Sequence, residues 1–165
     1  MMKGMNDTGV TIWKIARIQR AKTYPRYRDR MAAAADLAMS ASTLADIENG
    51  TRDPLPDEVW AMSEIYGSPE LRCTYCHDYC RLGSDVPKAE NLSLDRISIQ
   101  AYGTLKKAGE IKDSLMEIVE DGKITEDEKP ELQSIMKSLD DIVQVAQDLK
   151  VYVAKAKLEE EEEGF

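Results

Sequence analysis

All three cysteines and the single histidine of this 165-residue chain fall within one octet, Cys73-Thr-Tyr-Cys76-His77-Asp-Tyr-Cys80. Thiolates and an imidazole at such spacing suit zinc or an iron–sulfur cluster, so Cys73, Cys76, His77 and Cys80 form a candidate metal site. The plainer alternative is a buried helix face, because free cysteine packs as a small hydrophobe. At about 100° per residue Leu71, Tyr75 and Leu82 share one face, and the cysteines with His77 centre on the other. A straight helix separates Cys73 from Cys80 by about 10.5 Å along its axis. Zinc–sulfur bonds of about 2.3 Å do not span that, so a metal needs a larger cluster or a helix break near His77. Buried thiols and a metal site both stay open.

The second chemistry is electrostatic. Lys14, Arg17, Arg20, Lys22, Arg26, Arg28 and Arg30 stand against Asp29 alone in residues 10–30, whereas the whole chain carries −9. Residues 31–64 hold Arg52 against seven acids, among them Asp46 and Glu48, and residues from 91 onward hold ten basic and eighteen acidic side chains. A basic arm ahead of an acidic body suits phosphate contacts confined to one region.

These residues must be positioned by helices. Turn signals at Tyr24-Pro25, Asn49-Gly50, Asp53-Pro54, Gly67-Ser68-Pro69, Gly83-Ser84 and Asp121-Gly122 separate segments of helical period, and none shows bounded strand alternation. The fold class is therefore all-α. A first helix spans Thr11–Thr23, with Ile12, Ile15, Ala16 and Ile18 inward. Asp29 caps a second through MAAAADLA, and Ser40 caps a third over Ala41–Asn49, closed by Gly50. Pro56 starts a fourth helix ending at Gly67, and Ser68-Pro69 opens a fifth that ends near Gly83.

Beyond a polar linker, 84–90, Leu94, Ile97, Ala101, Thr104, Ala108, Ile111, Leu115 and Ile118 step by three and four. After the turn EDGKI, Thr125 and Glu128 make a capping box. Leu132, Ile135, Leu139, Ile142, Ala146, Leu149 and Val153 then form a heptad seam. The expected organisation is a helical domain at 10–83, a helical hairpin at 91–158 and a disordered acidic tail at 159–165. The hairpin seam asks for cover from its partner helix and from a second copy, hence a coiled-coil homodimer; the alternative is a seam satisfied wholly within one chain.

Residues 12–67 resemble the lambda-repressor-like (xenobiotic-response-element type) helix-turn-helix regulators. The resemblance is carried by Leu37, Ser40, Ser42-Thr43, Ile47-Glu48, Gly50, Arg52 and Pro54. It implies a five-helix domain whose third helix enters the major groove of double-stranded DNA. Carried over, the groove-facing residues are Ala41, Ser42, Ala45 and Asp46, with Thr43 on the same helix and Arg30 at the start of the second. Arg30 would make the bidentate guanine contact. Arg17, Arg20, Lys22, Arg26, Arg28 and Arg52 would hold phosphates. Ala38 stands where the family places a turn glycine.

The resemblance points to a homodimeric transcriptional repressor of bacterial or mobile-element type. Against that stands a protein-docking role, as in an antitoxin or adaptor, suggested by an alanine-rich and acidic third helix. No catalytic constellation accompanies His77, so an enzyme is not expected. With no apolar run long enough for a membrane and no signal-like start, a cytoplasmic protein is expected, with no membrane partner.

Overall fold

The computed structural model of the chain describes residues 10–90, 92–119 and 125–163. It is all-helical: α1 (Ile12–Thr23), a 3-10 turn (Pro25–Arg28), α2 (Arg30–Asp36), α3 (Ala41–Asn49), α4 (Pro56–Ile65), α5 (Glu70–Asp78), α6 (Leu94–Val119) and α7 (Lys129–Glu163). Two compact units result. One holds the described residues up to Ala89 together with α7 from Val153, and the other is Glu90–Tyr152.

In the first unit the helix ends follow from capping chemistry. The Asp29 carboxylate accepts from the Met31 N–H and the Ser40 hydroxyl from the Thr43 N–H, each meeting an orphan donor of a first turn. Gly50 ends α3 at φ 73° and Gly67 follows α4 at φ 62°, where glycine has no Cβ penalty. Ala38 takes φ 53° without that freedom, a strain of about 1–2 kcal/mol held by the surrounding turn.

The core joins Trp13, Ala16 and Ala21 of α1 to Ala33, Ala34, Leu44, Ile47, Val59, Met62, Tyr66 and Leu71. The inward face of α1 differs from the expected one. Trp13, Ala16, Arg17 and Ala21 are buried, whereas Ile18 is exposed and Ile12 and Ile15 lie at the margin. The large indole of Trp13, its ring centroid 5.8 Å from that of Tyr79, sets the rotation of the helix.

Tyr66 is buried, and among the described residues its hydroxyl has no hydrogen-bond partner. Burial pushes its phenol well above the ordinary value. Because the folded-state pKa is the higher one, stability does not depend on this ionisation below about pH 10, the unfolded value, and falls as pH rises past it. Tyr66→Phe should therefore raise stability by up to about 1–3 kcal/mol at neutral pH, since a desolvated hydroxyl is removed. It should also make the alkaline decline shallower. Urea midpoints at neutral pH and just above the phenol range check both parts, and a loss at neutral pH would contradict them.

In the second unit α6 and α7 run antiparallel. Ile111, Leu115 and Ile118, late in α6, cluster with Leu132, Ile135, Leu139 and Ile142, early in α7. Residues earlier in α6, Gly103 and Thr104, face Gln144 and Asp148 across a cavity. The connecting EDGKI turn, 120–124, lies outside the described residues.

The expected α7 seam breaks halfway. Ala146, Leu149 and Val153 are exposed, and Asp148 and Val151 are buried instead, about 140–160° around the helix from Ile135. A polar anchor turns that half inward on the other side. Asp148 Oδ1 accepts from the Glu90 N–H at 2.7 Å and from Gln144 Nε2 at 3.0 Å. The acidic run also departs from expectation, because the backbone stays helical through Glu163. Glutamate is a good helix former, and the run extends a helix already nucleated.

Candidate nucleic-acid interface

The exposure of α3 divides it into two faces. Leu44, Ile47 and Glu48 are buried, while Ser42, Asp46 and Asn49 are exposed and Ala41, Thr43 and Ala45 lie between. Alternation by three and four residues produces this division, as an amphipathic helix requires. Ser42, Ala45 and Asp46 thus fall on or beside the outward face. Asn49 joins them, a residue the sequence reading passed over although it continues the 42–45/46–49 spacing. Its amide can pair with adenine in the major groove.

Hydroxyls gather at the start of α3. Ser40 Oγ lies 2.8 Å from both Ser42 Oγ and Thr43 Oγ1. At the other end Thr51 Oγ1 donates to the Asp46 carbonyl at 3.1 Å and lies 3.3 Å from Asp46 Oδ1. That carboxylate is thereby partly occupied within the protein.

The basic arm divides as well. Arg17 was expected on phosphates, and the structure overturns this, for it is only 3% exposed. Its Nε donates to Glu48 Oε1 at 2.5 Å and its Nη2 to Oε2 at 3.0 Å. Its Nη1 donates to the carbonyls of Tyr27, 2.7 Å, and Arg28, 3.2 Å. The hydrogen bond with Glu48 raises the Arg17 pKa further, so the charge is permanent and internal. A guanidinium suits the place because its planar fork can satisfy a carboxylate and two carbonyls at once.

Arg20 is half-buried, stacked 4.1 Å from the Tyr24 ring centroid. Lys22 and Arg28 are exposed. Arg26 reaches Asp36 at 2.8 Å from an exposed position. Arg30, 36% exposed, donates Nε to Glu48 Oε2 at 2.9 Å. Arg52 binds Glu58 at 3.0 Å, and Glu58 also receives the Leu55 N–H at 2.7 Å, capping α4. The loop after α3 is thus tied to the next helix with its cation still partly exposed.

The cysteine octet straddles the end of α5. Among the described residues no three histidine, cysteine, aspartate or glutamate side chains come together to hold an ion. Helix α5 ends at Asp78, so Cys80 and Leu82 leave the helical wheel, and Leu82 is 93% exposed. Cys73 and Leu71 are both buried, and His77 Nδ1 is 2.7 Å from the Val86 carbonyl oxygen. Cys76 and Cys80 are half-buried thiols.

A tight turn after α2, a capped helix with a polar outward face and flanking arginines define a helix-turn-helix of the DNA-binding class. The family comparison agrees: residues 28–71 match the model described as Helix-turn-helix, which supports the helix-turn-helix regulator resemblance for this segment. No curated protein and no solved structure matches the chain. None of the described helices is long and apolar enough to cross a membrane.

Proposed function

We propose that the chain is a sequence-specific DNA-binding transcriptional repressor that acts as a homodimer, and not an enzyme. The observation that carries this is the outward face of α3, Ser42, Ala45, Asp46 and Asn49, beside partly exposed Arg30 and Arg52 and exposed Arg28. Phosphates supply most of the affinity, and the helix adds a few base contacts. Homodimerisation through the hairpin is supported by the uncovered seam residues Leu149 and Val153 and by Tyr102, Leu105 and Met116 on α6, exposed by 75%, 61% and 69%.

The test is fluorescence anisotropy of a labelled random-sequence duplex at several salt concentrations. With Arg17 internal and Arg20 half-buried against the Tyr24 ring, Lys22, Arg26, Arg28 and Arg52 remain as phosphate ligands. They predict a log–log slope of about −3.6, at about −0.9 per contact. Absence of binding to this duplex and to any selected sequence would favour the docking reading, in which Asp46 and exposed Trp60 meet a protein. Sedimentation at micromolar concentration should find a dimer; a monomer would remove the homodimer from the proposal.

A further inference from the structure

Glu48 is an acid on the helix that faces DNA, yet its side chain is 0% exposed. Its carboxylate is locked from α1. Arg17 grips both oxygens, and the Thr11 hydroxyl donates to the Glu48 backbone carbonyl at 2.8 Å. The same carboxylate then accepts Arg30 Nε at 2.9 Å. Two guanidiniums on one carboxylate leave a net positive charge, and only the Arg30 side of the triad reaches the surface.

We propose that Glu48 is a positioning residue for sequence reading. It holds the Arg30 guanidinium in place before DNA arrives and leaves the Nη1–Nη2 edge as the donor pair for guanine O6 and N7. The inference deepens the DNA-binding reading and rests on it. A guanidinium is a planar fork, so fixing one edge fixes the direction of the other. A long side chain already ordered in the free protein loses less freedom on binding, which sharpens discrimination more than overall attraction. Without Glu48 the two arginines would also repel each other across a desolvated site. Arg17 and Thr11, neither of them near the bases, thus act on base choice through Glu48.

The experiment uses the full chain. A bound sequence is selected from random duplexes with wild-type protein, and affinities for it and for a random-sequence duplex are measured with Glu48→Gln, Arg30→Ala and the double variant. Arg30→Ala should lower the ratio of the two affinities by about 5- to 150-fold. Glu48→Gln should lower it by a similar factor with the random-duplex affinity and salt slope kept, and by less than about twofold once Arg30 is alanine.

An unchanged ratio in folded Glu48→Gln overturns the proposal, as does an equal loss in both backgrounds. Random duplexes that bind with no sequence enriched overturn it and leave DNA binding standing. No binding to any duplex takes down both. Should Glu48→Gln not fold, the Arg30 Nε–H resonance of the wild-type protein decides. A resolved signal in slow exchange with water, before and after DNA, supports positioning, and one averaged with the mobile arginines overturns it.

Discussion

Arg17→Ala should destabilise the first unit by about 3–5 kcal/mol, read as a shift in the urea midpoint, because it leaves the buried Glu48 carboxylate short of a partner. The carbonyls of Tyr27 and Arg28 lose their donor in the same step. The size follows from burial. An exposed pair is worth about 0.2–1 kcal/mol, but a charge with no access to water must be satisfied inside. Arg30 still reaches Glu48, so the loss belongs toward the lower end of that range. Under conditions where the variant stays folded, its DNA salt slope should equal that of the wild type. A slope smaller by about one unit, with an unchanged urea midpoint, would return Arg17 to the phosphates.

Gly83→Ala should cost stability near the top of the overpacking range of about 1–3 kcal/mol. A Cβ at Gly83 would fall onto the Cys76 carbonyl oxygen and lie 2.6 Å from its carbon, and both are backbone atoms that no rotamer change can move. Gly83 is buried, and its N–H donates to Cys80 at 3.1 Å, so the turn closing α5 would have to open. Gly103→Ala is the matched control. It meets nothing within 4 Å and removes a glycine from inside a helix, so a gain of about 0.5–1 kcal/mol is expected. Thermal melts of the two variants should therefore shift in opposite directions; a shared sign would mean the turn around Gly83 yields easily.

What the sequence discloses tracks how local its physics is. Asp29, Ser40, Gly50 and Pro56 stand at the helix ends that their chemistry dictates, because a cap satisfies donors within three residues of itself. The hydrophobic steps of α6 likewise place Ile97, Ile111 and Ile118 inside. Arg17 and Glu48 were opaque for the converse reason. They lie 31 residues apart, and each reads locally as one more surface charge. The one local hint was the step from Leu44 to Ile47 to Glu48, which puts the acid on the apolar side of its helix. The second half of α7 misled through the same limit, since its inward face is chosen by Glu90, 58 residues before Asp148. The end of α5 was not legible either: it stops at Asp78, two residues short of Cys80, with no glycine or proline at that point to announce it.

The clamp on Glu48 has a mechanical consequence. Thr11 and Arg17 tie α1 to α3, so the recognition helix has little freedom to tilt without breaking buried bonds. On the proposed DNA-binding reading, a duplex docked on a helix held in this way would do most of the conforming. The elastic work then falls on the DNA, where bending a short site costs on the order of 1–6 kcal/mol and depends on the flexibility of its base steps. Preference would therefore extend to positions that no side chain touches, with pliable steps favoured wherever the duplex must conform to α3.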